Sequence, residues 1–283
     1  MLLGAHVPAA HPLRAADERG AEVLQVFLSP PRSWRPPAAR EDAAELRRDA
    51  RPIHVHTPYL LNLVSGDAQV RERSVTSLQQ SCEAALAIGA VGVVVHGGQA
   101  PLGEDPGVGI RRWRAVLTEL RTEVPVLIEN TAGGRNPMAR TIEQIERLFD
   151  GLSGLSDPPG FCLDTCHLHA AGEPLVAATS RLRSVLGAID LVHLNDAEGP
   201  PGTGRDRHAN LGHGTIGRDA LLEAVATAEA PCVIETPGTT RDHRADLTWV
   251  RQGLAVLREG SPSSHVQPGD EPASGGRPPR PRA

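Results

Sequence analysis

The sequence predicts an α/β fold: a (β/α)8 barrel, eight parallel strands each followed by a helix, in a single domain. Three observations predict it. Short apolar or β-branched runs alternate eight times with longer stretches of Ala, Leu, Arg and Glu at helical spacing. Together the eight units occupy about 260 residues, the ordinary size of such a barrel. Several runs, VGVVVH and PVLIEN among them, are apolar nearly throughout, as parallel strands covered on both faces must be.

The elements follow in order. A first strand is expected over Leu2–Val7, with a helix over about Pro8–Arg19. The second strand, Glu22–Leu28, leads through a Pro-rich turn to a helix at Arg40–Asp49. The third, Pro52–Tyr59, precedes the long helical pattern Asp67–Ile88, and the fourth, Val91–Gly97, precedes Gly109–Arg121. The fifth unit pairs Val124–Asn130 with Thr141–Phe149, and the sixth pairs Phe161–Thr165 with Leu175–Leu186. The seventh, Asp190–Asn195, is separated from its helix Arg218–Ala228 by a long Gly-rich loop. The eighth joins Cys232–Thr236 to Arg241–Arg258. The barrel domain thus spans 1–259. Residues 260–283 are rich in Pro, Gly and Ser with almost no apolar residue, the composition of a disordered tail.

Composition narrows the function. The chain has 283 residues, 40% of them hydrophobic, enough for a substantial core. All 29 basic residues are Arg, set against 34 acids, for a formal net charge of −5. Taken alone, that balance argues against a protein that grips nucleic acid through phosphates. Four cysteines (Cys82, Cys162, Cys166, Cys232) in strand-like or apolar stretches read as reduced thiols of a cytoplasmic protein. No window approaches the ~18 apolar residues of a membrane span, and the N-terminus has no basic leader pattern. There is no Walker lysine and no G-x-G-x-x-G after a strand, so nucleotide binding has no support.

In barrels of this kind the active site lies at the C-terminal ends of the strands. Ligand-type residues stand there on strand after strand: His56, His96, Glu129, Asp164 with His167, His193 and Glu235. Asp206 and His208 join them from the loop after strand seven. Each strand-end residue stands where an apolar run gives out into Gly, Asn, Thr or Pro. Five imidazoles and four carboxylates converging on one mouth would be strongly destabilising without cations. Mixed His/Asp/Glu ligation with no required thiolate suits Zn²⁺ or Mn²⁺, and nine ligands are too many for one ion. The expected site is therefore multinuclear, of the kind that clamps the oxygens of a phosphoester and activates water. Cys162 and Cys166 flank Asp164 but read as packing residues, since a strand alternates its side chains between the interior and the helix layer.

The segments HTPYLLNL, ENTAG, CLDTCH, AAG, HLND, DRHANLG and ETP, in this order, resemble endonuclease IV, the zinc-dependent family of apurinic/apyrimidinic endonucleases. GAHV and FLSPPRSW resemble that family's first two strand ends, and the resemblance runs from about Leu2 to Leu257. It implies three zinc ions, with Mn²⁺ an alternative at one site. One would be held by His56, His96 and Glu129, a second by Glu129, Asp164, His193 and Glu235, and a third by His167, Asp206 and His208. Glu129 would bridge two ions, and Glu129 and Glu235 are the carboxylates it implicates in catalysis. The implied reaction is hydrolysis of the phosphodiester 5′ to an abasic site in double-stranded DNA, leaving a 3′-hydroxyl and a 5′-deoxyribose phosphate; nothing in the sequence demands more than a monomer. Arg32 and Tyr59 stand where the family's wedging residues stand.

Some loops depart from the family pattern: HVPAAHP replaces HVSxxGG, His96-Gly97-Gly98 replaces HPG, and Gly212-His213-Gly214 replaces GEG. All nine metal positions survive. His6 and His213 lie near the mouth and are further candidates for substrate contact, the alternative being structurally bonded imidazoles. A sugar isomerase or epimerase on the same barrel would not need His56, His96 and the Asp206–His208 pair together. A silent DNA-damage binding module is supported only by the altered loops. Three Zn²⁺ would move the formal charge from −5 to about +1, which removes the objection from bulk charge.

Overall fold

The computed structural model describes residues 1–260. The chain forms β1 (Leu3–His6), α1 (Pro12–Arg19), β2 (Leu24–Phe27), α2 (Ala43–Arg48), β3 (Ile53–His56), α3 (Ala68–Ala87), β4 (Gly92–His96) and α4 (Pro106–Glu119). It continues through β5 (Val126–Glu129), α5 (Ile142–Gly151), β6 (Gly160–Asp164), α6 (Thr165–Ala171), α7 (Leu175–Leu186) and β7 (Leu191–His193). A two-stranded ribbon, β8 (Asp196–Ala197) and β9 (His208–Ala209), precedes α8 (Arg218–Ala228), β10 (Cys232–Ile234) and α9 (Thr240–Gly260). Strands β1 to β7 pair in sequence and β10 closes the barrel between β7 and β1, all parallel. This is the expected (β/α)8 TIM barrel. Among the described residues no helix is long and apolar enough to cross a membrane. The segment 261–283, expected to be part of a tail, lies outside the described residues.

Every expected strand is present; seven are shorter than expected, and the sixth keeps five residues but starts one earlier, at Gly160. The third is Ile53–His56 rather than Pro52–Tyr59, because Pro52 and Pro58 lack the N–H that a ladder needs. The first helix starts at Pro12, not Pro8, and the fourth starts at Pro106, where the Asp105 side chain accepts from Gly107 N. Two elements were not expected. Helix α6 has only seven residues, too few for periodicity to show, and it is capped by the last strand residue, Asp164. The β8–β9 ribbon has two residues a side and sits within the Gly-rich loop.

The core has two layers, set by the period of two along each strand. Residues facing the helices form the large outer cluster, including Val55, Val93, Val95, Ile128, Leu163 and Val192. Those facing the barrel axis form a small inner cluster of Val23, Val94, Leu127, Cys162, Leu191 and Val233. Two residues further along these same strands stand Gln25, His96, Glu129, Asp164, His193 and Glu235. The apolar floor and the polar mouth are therefore successive inward positions of the same strands. At Gly4 the first two strands approach so closely that a Cβ would lie 1.7 Å from Val23 O, which only glycine permits.

Candidate metal centre

Glu129 sits at the middle of the mouth, 1% exposed. Its Oε2 lies 3.0 Å from His56 Nε2 and 3.3 Å from His96 Nε2; its Oε1 lies 3.1 Å from His193 Nδ1 and 3.3 Å from His167 Nδ1. One carboxylate thus meets four imidazoles. Glu235 places Oε2 3.4 Å from His193 Nδ1 and Oε1 3.1 Å from His6 Nδ1. Asp206, on the loop before β9, lies 3.3 Å from His167 Nε2 and 3.0 Å from His208 Nε2. All nine expected ligands share one mouth.

Four groups within this cluster bring ligating atoms within 4.8 Å of one another: His56/His96/Glu129, Glu129/Asp164/His193/Glu235, His167/Asp206/His208 and Asp164/Cys166/His208. The chemistry of the donors fits cations between them. His56 Nδ1 donates to Thr57 O at 2.7 Å, so a neutral ring presents its Nε2 lone pair to a Glu129 oxygen. Two acceptors cannot satisfy each other. His193 donates Nε2–H to Gln25 Oε1 at 2.8 Å, and His208 donates Nδ1–H to Glu235 O at 3.2 Å. Each therefore turns its free nitrogen inward, the arrangement that outer partners impose on ligating histidines. His208 Nε2 is buried with no hydrogen-bond partner, although it lies close to Asp206 and Asp164. An orphaned buried nitrogen facing two carboxylates fits the donor chemistry of a metal ligand.

Electrostatics point the same way. Burial pushes the Glu129 carboxyl up, but His193 and His96 outweigh it and hold the group well below the usual carboxylate range. Burial also opposes charge on His167, yet Asp164, Asp206 and Glu129 hold its pKa well above the ordinary histidine value. His208 is likewise resisted by burial but raised to about 9, chiefly by Asp206 and Asp164. The carboxylates thus favour positive charge at these imidazoles, as they would favour a cation between them. Burial pushes the Cys162 and Cys166 thiols to about 12, so both are neutral packing groups, and Cys166 Sγ donates to Arg207 O.

Other expected residues lie around this centre. His6 touches Glu235 and Gln25 and so belongs to the cluster's edge. Tyr59 is 48% exposed, and its ring stacks on His96 at 5.8 Å between centroids and meets Phe27 edge-on. Arg32 is exposed on the neighbouring loop, tied to it by Tyr59 N donating to Pro31 O. His213 is exposed, while His169 bonds Gly199 O and Thr215 Oγ1 and is structural. On α4, Arg112 pairs with Glu104, and Arg114 bonds Gly151 O and Ser153 O.

Sequence reasoning missed the supporting residues. Gln25, fully buried, donates to Glu235 Oε1 at 2.6 Å while accepting from His193. Asn195 donates to Asp164 Oδ2 at 2.8 Å and accepts from Glu235 N, and Asp164 Oδ1 caps α6 through His167 N at 2.7 Å. Asp196, fully buried, accepts four backbone N–H groups, from Ala197, Gly212, Gly214 and Ile216. The available signal was a polar residue inside an apolar strand, as in VLQVF.

Comparison with known proteins agrees with this geometry. Residues 13–260 match the family model described as xylose isomerase-like TIM barrel. The chain is 50% identical over 256 residues to a probable endonuclease 4 of Mycobacterium ulcerans, covering 90% of this chain and 99% of that one. The crystal structure of endonuclease IV from Thermus thermophilus superposes with a TM-score of 0.76 at 28% identity, covering 90% of this chain and all of that one. A D-tagatose 3-epimerase-like protein gives a TM-score of 0.75 at 18% identity over 92% of this chain and 99% of its own, a likeness of fold alone. By sequence and by structure, this chain belongs to the endonuclease IV family of metal-dependent nucleases.

Proposed function

We propose that the protein is a DNA repair phosphodiesterase that uses three zinc ions to hydrolyse the bond 5′ to an abasic site in double-stranded DNA, leaving a 3′-hydroxyl and a 5′-deoxyribose phosphate. The observation that carries the reading is the sharing of Glu129 between two donor groups, with a third group, His167/Asp206/His208, alongside. The names of the curated relatives support a nuclease rather than an isomerase. His56, His96 and Glu129 would hold one ion, Glu129, Asp164, His193 and Glu235 a second, and His167, Asp206 and His208 the third. Mn²⁺ also suits such a His/carboxylate set.

When bound, the ions supply Lewis acidity, making water a nucleophile at neutral pH and offsetting charge on the phosphate oxygens. The side chains set the geometry for this. Glu129 fixes the spacing between two donor groups, because its two oxygens face different pairs of histidines. Glu235 is aimed by Gln25 and His6, and Asp164 by Asn195 and the first turn of α6. Arg32 and Tyr59 stand at the rim, where they would meet a duplex and occupy the space left by a nucleotide turned into the mouth. The nine donors lie in one barrel mouth of one chain, which supports a monomer, and reduced thiols suit the cytoplasm.

The test is metal analysis of the purified protein paired with incision of a duplex carrying a single tetrahydrofuran abasic analogue. About three zinc ions per chain and a cut 5′ to the analogue are expected. Metal near one per chain without incision would overturn the reading in favour of an isomerase-like centre or a silent binding module.

A further inference from the structure

Beside the metal centre, and not part of it, lies a cavity of about 650 Å³. His6, Pro8, Phe27, Pro31 and Gly238 contribute to its walls. Three polar side chains more than nine-tenths buried also line it, Arg19, Ser29 and His243, each 8% exposed. Arg19 is the last residue of α1, and its side chain runs back along the helix. Its Nη1 donates to Ala15 O at 2.9 Å and its Nε donates to His243 Nδ1 at 3.0 Å.

The state of His243 follows from its other nitrogen. Nε2 lies 2.8 Å from Thr236 O, and a carbonyl only accepts, so Nε2 carries the proton and Nδ1 is the acceptor for Arg19. The imidazole beside the guanidinium is therefore neutral. Among the described residues Arg19 has no ion pair, and its Nη2 makes no hydrogen bond and is not sealed from solvent. The Ser29 hydroxyl makes no hydrogen bond among the described residues either. A guanidinium cannot shed its charge, and desolvating one without a counter-charge is costly. The chain tolerates that cost at a cavity open to an anion.

We propose that this cavity is a phosphate subsite, with Arg19 supplying the charge, Ser29 a hydroxyl donor, and Phe27, Pro8 and Pro31 an apolar wall for the attached sugar. His6 connects it to the reaction centre, since it lines the cavity and holds Glu235 at 3.1 Å. The source of the phosphate rests on the function proposed above: a backbone phosphate of the DNA strand next to the lesion. A free phosphate ester has the same chemistry, and the experiment separates the two.

The test uses full-length, metal-loaded protein, comparing wild type with Arg19→Gln, Arg19→Lys and Ser29→Asp at equal zinc content. In steady-state incision of the tetrahydrofuran duplex, Arg19→Gln is expected to raise KM about tenfold, the worth of one charge-assisted hydrogen bond, with kcat changed less than about twofold. Arg19→Lys recovers part of the loss. Replacing individual phosphates near the lesion by uncharged methylphosphonates should raise the wild-type KM similarly at one position and add nothing further in Arg19→Gln. If instead inorganic phosphate raises the thermal midpoint of wild type but not of Arg19→Gln, with no methylphosphonate position coupled to Arg19, the subsite serves free phosphate. Should Arg19→Gln fail to fold, Ser29→Asp puts a negative charge into the cavity without touching the Arg19–His243 contact and must abolish the same effects. Folded variants with unchanged KM and an unchanged response to phosphate overturn the subsite. A wild type that holds its zinc and does not incise overturns the proposed function instead, and the phosphate response still decides the subsite.

Discussion

Replacing Asp196 by Asn should release the loop that carries Asp206 and His208. Asp196 Oδ1 accepts from Ala197 N at 2.8 Å and Ile216 N at 3.0 Å, and Oδ2 accepts from Gly212 N and Gly214 N, each at 3.0 Å. Both oxygens are needed, so an amide in either orientation turns an N–H₂ toward two N–H donors. At about 1–3 kcal/mol per unsatisfied buried donor, the loss is about 2–6 kcal/mol. That is a large part of a typical domain's stability of about 5–15 kcal/mol. The chain has two responses: unfolding as a whole, at a midpoint lower by about 5–20 °C, or opening of the loop alone. Loop opening would withdraw two donors from the His167/Asp206/His208 group. Thermal unfolding, zinc analysis and incision of the abasic duplex on one preparation distinguish these responses. An Asp196→Asn protein matching wild type in all three would refute the clamp. Gly214→Ala probes the same contact from the other side, because its Cβ would lie 2.3 Å from Asp196 Oδ1.

Glu129→Gln keeps the shape of the side chain but removes the shared charge, so incision should fall more than about 100-fold while circular dichroism stays native; retained cleavage would show that the bridging role is misassigned. Gln25→Leu leaves His193 and Glu235 without their outer partner, and zinc affinity measured by competition with a chelator should weaken about 10- to 100-fold. In chelator-treated protein, His208 has its pKa raised from 6.5 to about 9, so its protonation contributes stability fully below pH 6.5 and loses it as pH rises through 9. The melting midpoint of the metal-free protein should accordingly fall over that window, and zinc should remove the dependence; a flat profile without metal would contradict the charge assignment. Deleting residues 260–283 should leave zinc content and incision unchanged, and a marked loss of either would give the tail a role.

The barrel and the strand-end members of its donor set were legible because both rest on local, periodic signals, whereas His167, Asp206 and His208 stood out by residue type and motif alone. Inward positions repeat every second residue, so a strand that reads VGVVVH or PVLIEN announces both its buried faces and the one polar residue at its end. Helix α6 and the β8–β9 ribbon were not legible: seven helical residues and two-residue strands are too short for a period. Gln25, Asn195 and Asp196 were passed over because their partners, such as His193, Asp164 and Gly214, lie far away in the chain.

The sequence by itself determined the layered barrel, the mouth at which nine ligand-type side chains end, and the family to which they are similar. Hydrophobic periodicity and residue chemistry act at each position without reference to distant ones. Only the tertiary structure decided which carboxylate oxygen faces which imidazole, which nitrogen of each histidine is turned inward, and that Arg19 is buried without a counter-charge. Those outcomes depend on closure of β10 onto β1 and on loops crossing the mouth, contacts between residues up to about 230 positions apart.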